Sequence, residues 1–145
     1  MYLLDTNVVS ELRKARLGRA DAQVTAWGDS VDAAELFLSA ISVQELELGV
    51  LRMEHRDPTQ GALLRTWLDL HVLPAFAGRI LAVDTAVAQR CARLHMPDPR
   101  PLHDSLIAAT AQVHGLTLVT RNVADFEATG VALLNPWQFQ AGDQV

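Results

Sequence analysis

Short apolar segments alternate with helical segments along the chain, and this alternation limits the possible folds more than any other feature. The apolar segments lie at residues 2–4, 35–40, 80–83, 117–120 and 131–134. Apolar residues with helical spacing occupy residues 8–14, 43–54, 59–73, 85–95 and 102–114. Strands that alternate with helices predict an α/β domain with three α/β/α layers and a mainly parallel central sheet.

Several residues mark where these helices begin or end. Pro74 is predicted to end the helix of residues 59–73, because proline has no backbone N–H to donate. Gly115 is expected at the left-handed position that closes the helix of residues 102–114. At the starts, we predict N-caps at Asn7 and Asp84, and a capping box formed by Ser42 and Glu45.

The composition fits one globular domain, which we place at residues 1–140 with a short C-terminal tail at 141–145. Half of the 145 residues are hydrophobic, and the mean hydropathy is +0.13, which argues against disorder. No apolar run approaches the roughly 20 residues that span a bilayer, and no secretory signal is evident. The single cysteine, Cys91, is expected in the core. We therefore expect a cytoplasmic protein.

The charge distribution leaves the question of nucleic-acid binding open. The formal net charge of −5 argues against a general nucleic-acid binder, which usually carries a basic patch. However, Arg13, Lys14, Arg16 and Arg19 form a short basic cluster. This cluster is either a solvated helix end or a set of phosphate contacts, and the sequence does not decide between the two.

Acidic residues follow several of the predicted strands. Asp5 comes directly after residues 2–4, Glu45 lies shortly after 35–40, and Asp84 and Asp125 follow the next two strands. Asp104 instead opens a helix. Ligands of parallel α/β sheets bind beyond the carboxyl ends of the strands, so most of these acids should meet at one edge. Taken singly, each could be structural, since an acid at a helix N-terminus contributes about 0.3–1 kcal/mol.

Asp5 is the acid for which a purely local role is hardest to find. With Asn7 predicted as the N-cap of the helix of residues 8–14, Asp5 has no capping role of its own. A buried lone carboxylate is costly, and several carboxylates together raise one another's pKa values. Three or four such groups form a natural site for a hard divalent cation, which can activate water for attack at phosphorus.

Two other phosphate-handling folds also place an acid after the first strand. Haloacid-dehalogenase-like phosphatases require a second aspartate two positions later, where this chain has Asn7. Phosphoreceiver domains require a lysine after the last core strand, but Arg121 follows residues 117–120 and Lys14 is the only lysine in the chain. This chain therefore lacks a residue on which the chemistry of each alternative fold depends.

Four stretches resemble those of the PIN-domain family, and in particular the VapC/FitB-type toxins of type II toxin–antitoxin modules. They are LLDTNVVSEL, SVQELELGV, PLHDSLIAATAQVHGLTLVTRNVADF and LLNPW. The resemblance covers nearly the whole chain, in order. The loop before PLHD, HMPDPR, is shorter than is common in that family.

The resemblance implies a ribonuclease that depends on Mg²⁺ or Mn²⁺. Its acidic quartet falls on Asp5, Glu45, Asp104 and Asp125, which would be both the metal ligands and the catalytic residues. The residues that would orient ligands or substrate are Thr6, Asn7, Thr120 and Asn122. Arg121 would meet either phosphate or a neighbouring acid. His103 is expected to be an exposed residue at a loop-to-helix junction, and Asp84 lies outside the quartet.

The resemblance also implies partners. These are an RNA substrate, a cognate VapB/FitA-type antitoxin and a second copy of the chain, within a larger toxin–antitoxin assembly. DNA would be contacted only through the antitoxin, and no membrane is involved. One alternative stays open, since some PIN domains act through partners without nuclease activity.

Overall fold

The computed structural model describes residues 1–140 and 142, and it contains a parallel five-stranded sheet. The strand order is β3-β2-β1-β4-β5, and every neighbouring pair is parallel. The strands are β1 Tyr2–Leu4, β2 Leu36–Ser39, β3 Ile80–Leu81, β4 Thr117–Val119 and β5 Leu133–Leu134. The predicted α/β class and parallel sheet are confirmed, although most of the strands are shorter than predicted.

Helices connect these strands in the order expected of a parallel sheet. They are α1 Thr6–Ala15, α2 Ala22–Ser30, α3 Ala40–Arg56, α4 Pro58–Trp67, α5 Leu73–Ala75, α6 Thr85–Leu94, α7 Leu102–His114 and α8 Val123–Phe126. Of the described helices, α2 and the short α8 had no counterpart among the sequence predictions. Only Val24 and Trp27 of α2 are buried, so its apolar spacing is too sparse to stand out.

The sheet separates two apolar cores, which gives the three layers. Leu4, Leu38 and Val119 face one core together with side chains of α1 to α4. Leu3 and Leu118 point the other way and pack against α7 and α8. This alternation follows from the two-residue period of a strand. On the α7 side, α6 adds a smaller cluster that contains the buried Cys91, which confirms its predicted core position.

The prediction that a helix ends at Pro74 is wrong. A π-helical turn, Leu68–Val72, follows α4, and the backbone N–H of Leu73 donates to the carbonyl of Leu68. The chain then stays helical to Ala75, so that Pro74 lies in the first turn of α5. Around Pro74 the bonding pattern changes from the i−5 bond of Leu73 to an i−4 bond of Phe76 to Val72, and this change accommodates the missing proline N–H.

Two of the predicted N-caps are also wrong. Helix α3 begins at Ala40, and the Ser39 hydroxyl caps it by accepting from the Ser42 N–H at 3.1 Å, so Ser42 and Glu45 form no capping box. Helix α1 is capped by Asp5 and not by Asn7. In both cases the helix begins earlier than its apolar spacing indicated.

The other predicted helix ends agree with the structure. Asp84 caps α6 by accepting from the Val87 N–H at 3.0 Å, and Gly115 has a φ of 65° after α7. Within the described residues, no helix is long and apolar enough to cross a membrane. The tail predicted at 141–145 lies outside the described residues except for Gly142.

Candidate active site

Asp5 lies at the centre of the carboxyl edge of the sheet. Strand β1 is flanked by β2 and β4, and the Asp5 N–H extends the ladder by donating to the Val119 carbonyl at 2.9 Å. The side chain is only 7% exposed. Because the central strand ends here, residues that follow β2 and β4 are brought next to this carboxylate.

Both oxygens of the Asp5 carboxylate accept hydrogen bonds. Oδ1 accepts from the Thr6 N–H at 2.8 Å, while Oδ2 accepts from the Thr120 hydroxyl at 2.8 Å and, more weakly, from the Asn7 amide at 3.4 Å. Burial nevertheless raises the pKa of Asp5, and the charges of Glu45 and Asp125 raise it further. Desolvation outweighs the hydrogen bonds, which act in the opposite direction.

Thr120 lies at the centre of the hydrogen-bond network around Asp5. It is fully buried, donates to Asp5, and accepts from the Asn122 N–H at 3.0 Å. The Asn7 amide lies 3.5 Å from the Thr120 hydroxyl, and Asn7 Oδ1 accepts from the Arg121 N–H at 3.4 Å. Thr120, Asn7 and Asn122, which the family resemblance singled out together with Thr6, therefore contact one another or Asp5.

Thr6 links Glu45 to the start of α1. Its hydroxyl donates to Glu45 Oε1 at 3.0 Å, across 39 positions of sequence. Glu45 lies in the second turn of α3, which begins directly after β2, the strand beside β1. The bond orients the Glu45 carboxylate toward the end of β1.

Asp104 and Asp125 complete the acidic group from the other side of the sheet. Asp104 lies in the first turn of α7, and Asp125 lies in the short helix α8 after β4. Burial raises the pKa of Asp104, and the charges of Asp5 and Asp125 raise it further. The predicted quartet therefore shares one electrostatic environment.

Among the described residues, these carboxylates have no cationic partner at ion-pairing distance. In residues 1–140 and 142, the ion pairs join Lys14 to Glu11 and Arg65 to three acids of α3 and the α4 region, and none involves the quartet. The donors are all carboxylate oxygens, the type that Mg²⁺ and Mn²⁺ prefer. In the same part of the chain, no three His, Cys, Asp or Glu side chains already surround a common metal position. The donor chemistry thus fits a hard cation, while the side chains do not form a closed ligand cage.

Arg121 makes a contact that the sequence did not indicate. Its guanidinium lies over the indole of Trp137, 5.1 Å from the ring centroid, and it pairs with no acid among the described residues. The acid-pairing role considered for Arg121 is therefore not found. The LLNPW stretch was the only sequence signal for Trp137. His103 is exposed at the start of α7, as expected.

The basic cluster borders an apolar groove between α1 and the α4–α5 segment. Arg13 lies 5.7 Å from the ring centroid of Trp67, and Lys14 pairs with Glu11 at 3.4 Å. Arg13 and Arg16 line the groove together with Leu4, Val9, Leu12, Trp67, His71, Val72, Ala75 and Phe76. Since Leu4 directly precedes Asp5, the groove runs close to the acidic group.

Comparisons with known proteins identify the family. The PIN domain family model matches residues 2–131. VapC ribonuclease Y4jK of Sinorhizobium fredii is 40% identical over 144 residues, covering 95% of this chain and 99% of that protein. Toxin FitB of Neisseria gonorrhoeae is 40% identical over 143 residues, with 94% and 99% coverage. A solved structure of FitAB bound to an IR36 DNA fragment matches with a TM-score of 0.86 and 36% identity, covering 98% of this chain and 99% of that one. The chain therefore belongs to the PIN domain family, among its VapC and FitB members.

Proposed function

We propose that the chain is a metal-dependent endoribonuclease and the toxin of a type II toxin–antitoxin system. The observation that carries this proposal is the group of four acids, Asp5, Glu45, Asp104 and Asp125, which shares one sheet edge without an ion-paired cation in the described chain. Support also comes from relatives named as a VapC ribonuclease and a FitB toxin, each matched over nearly its full length.

The chain's own residues would hold and orient the cation. Asp5 and Asp104 would be the principal ligands of a Mg²⁺ or Mn²⁺ ion, with Glu45 and Asp125 completing the oxygen set. A bound ion of this kind supplies an activated water and stabilises charge at the phosphodiester. Thr120 and Thr6 would hold Asp5 and Glu45 in place through their hydroxyl groups, at 2.8 and 3.0 Å.

Cleavage of RNA by the purified chain tests the nuclease proposal. We expect cleavage with Mg²⁺ or Mn²⁺, none with EDTA, and a loss of at least about 100-fold in Asp5→Asn. Asp84→Asn is the matched control, because Asp84 is also an N-cap acid at a strand end but is not in the quartet. If Asp5→Asn cleaves as fast as the parent, the assignment of the site is wrong.

Growth and binding assays test the toxin role and the inert alternative. Expression should arrest growth, and Asp104→Asn should relieve the arrest; harmless expression of an active nuclease would contradict the toxin role. Calorimetric titration with Mn²⁺ tests whether the chain acts only through partners. Absence of binding at millimolar Mn²⁺ would favour that alternative.

The proposal includes an antitoxin that covers the site. The groove beside Asp5 offers apolar walls from Leu4 and Val9 and positive charge from Arg13 and Arg16. This groove would bind an apolar segment of a VapB/FitA-type partner. DNA would be bound only through that partner, in line with the FitAB complex on DNA.

We also propose that the chain acts in the cytoplasm as a homodimer. Analytical ultracentrifugation of the isolated chain would test the dimer.

A further inference from the structure

We infer that Arg121, whose guanidinium lies over the ring of Trp137, binds a phosphate group of the RNA at the rim of the acidic site. This inference rests on the proposed nuclease function and adds to it a specific substrate contact. It is drawn from the position of Arg121, the packing of Trp137 and the charge of the surroundings.

The backbone places Arg121 next to the reacting centre. The preceding residue, Thr120, donates its hydroxyl to Asp5 at 2.8 Å, and the Arg121 N–H itself donates to Asn7 Oδ1 at 3.4 Å. The following residue, Asn122, donates its N–H to the Thr120 hydroxyl at 3.0 Å. The Arg121 backbone is thus held on both sides by the network that orients Asp5.

Trp137 forms a fixed surface at the same edge of the sheet. Strand β5 pairs with β4 through Leu134 and Val119, and the Thr120 N–H donates to the Leu134 carbonyl at 3.0 Å. After β5, the Asn135 side chain accepts from the Trp137 N–H at 3.0 Å and holds the short turn in place. Trp137 is partly buried against the core on the side of α1 to α4, so its indole has little freedom to move.

The contact between the two side chains leaves the hydrogen-bonding edge of the guanidinium available. The guanidinium lies 5.1 Å from the indole centroid, within the range of a cation–π interaction, and its side chain is in none of the hydrogen bonds found among the described residues. Arg121 is exposed and has no acidic partner in the described chain, whereas Arg65 is bound by Glu47 and Glu54 at 2.6 and 3.0 Å. The planar guanidinium is well suited to bidentate binding of phosphate.

The surrounding charge explains why such a contact is needed. The site carries four acids and the whole chain has a formal net charge of −5, so a polyanion is repelled as it approaches. A cation held at this edge of the sheet offsets part of this repulsion. Arg121 is the arginine whose backbone is bonded into the Asp5 network.

Two measurements on the full-length chain test the inference. The first is the kinetics of RNA cleavage with Mn²⁺, and the second is fluorescence anisotropy of a labelled RNA oligonucleotide in EDTA at several salt concentrations. For Arg121→Ala we expect KM to rise about ten-fold with kcat within about two-fold of the parent. The slope of log affinity against log salt should fall by roughly 0.7, which corresponds to one lost phosphate contact on a single strand.

Matched variants separate a phosphate contact from a structural role. Arg121→Lys should keep the salt slope and recover part of the affinity, because it keeps the charge but loses the planar, bidentate guanidinium. Trp137→Phe should keep the fold and raise KM by about two- to three-fold, because phenylalanine is a weaker cation–π partner than tryptophan. Arg93→Ala, which removes an exposed arginine of α6, should change neither KM nor the slope.

The outcomes distinguish this inference from the proposed function. An unchanged KM and salt slope in Arg121→Ala, together with inactive Asp5→Asn, would overturn the inference and leave the nuclease proposal intact. A fall in kcat alone would also overturn it, because Arg121 would then act by positioning the acids. If the parent chain cleaves no RNA, the nuclease proposal fails, and the anisotropy slope alone decides whether Arg121 contacts phosphate.

Discussion

The hydroxyl of Thr120 and the carboxylate of Asp5 are joined by a buried 2.8 Å hydrogen bond across 115 positions of sequence. Thr120 directly follows β4 and Asp5 directly follows β1, the strand beside it. The parallel register of these strands brings the two side chains together, so the sheet itself positions the most deeply buried acid of the quartet.

Replacing Thr120 with valine tests this relationship. Thr120→Val keeps the branched shape but removes the donor to Asp5 and the acceptor for the Asn122 N–H. The free energy of unfolding should fall by about 1.5–3 kcal/mol, because a buried charged acceptor loses a partner. The pKa of Asp5 should rise further, since the Thr120 bond acts to lower it. Urea denaturation and the pH profile of cleavage would measure the two effects.

Thr120→Ser is the control for this change. It keeps the hydroxyl and removes only a buried methyl group, so it should cost about 1 kcal/mol in stability and leave the pH profile in place. A shifted pH profile in the serine variant would contradict a role for the hydroxyl.

The raised pKa values of Asp5 and Asp104 predict how the stability of the metal-free protein depends on pH. A carboxyl group whose native pKa lies above its ordinary value of 3.8 binds its proton more readily in the folded state. Ionisation of this group therefore costs stability at neutral pH, and the cost is relieved as the pH falls through the raised native pKa. Asp5→Asn removes the cost, so in EDTA it should have a higher Tm than the parent at about pH 8.

The difference in Tm should shrink as the pH falls toward 3.8, because the parent then gains the proton as well. Circular dichroism melts in EDTA between about pH 8 and about pH 4 would check this, with Asp84→Asn as the control for loss of a capping carboxylate. A difference that stays constant with pH, or a parent that is more stable than Asp5→Asn at the alkaline end, would contradict the prediction.

The fold and the position of Asp5 at the sheet edge could be predicted because both depend on local pattern. Leu3 and Leu4 are both apolar because both faces of β1 are covered. A buried parallel strand therefore has a short run of apolar residues as its sequence pattern. An acid placed directly after such a run, as Asp5 is, lies at the sheet edge whatever the loops do. Family resemblance then selected Glu45, Asp104 and Asp125 from the remaining acids.

Features that depend on exact boundaries or distant register could not be predicted in this way. Asp5 is the N-cap of α1 as well as a member of the proposed quartet, and its capping role is apparent only once α1 is seen to begin at Thr6. The π turn before Pro74 carries the buried Leu68 and Val72, and no local rule indicates that turn. The Arg121–Trp137 contact depends on the pairing of β4 with β5.

Thr6 provides a second test of how the acids are held. Thr6→Val removes the 3.0 Å bond to Glu45 while keeping the side-chain shape. Loss of such an orienting partner should weaken Mn²⁺ binding about ten-fold and reduce cleavage most at limiting Mn²⁺. Calorimetry and cleavage at two Mn²⁺ concentrations would measure this. Thr6→Ser should behave like the parent, and an equal loss in both variants would show that the hydroxyl is not responsible.

The packing of α3 against α4 gives a prediction that is independent of function. Gly61 is buried, and a Cβ added there would lie 2.4 Å from the Cα of Glu54, which is backbone and cannot move aside cheaply. Gly61→Ala should therefore lower the free energy of unfolding by about 1–3 kcal/mol or more, because the two helices must separate. A Cβ at Gly49, within α3, would meet no neighbouring atom within 4 Å, so Gly49→Ala should instead raise stability by up to about 1 kcal/mol through helix propensity. Urea denaturation of both variants would measure the difference, and equal stabilities would contradict the close approach of α3 and α4.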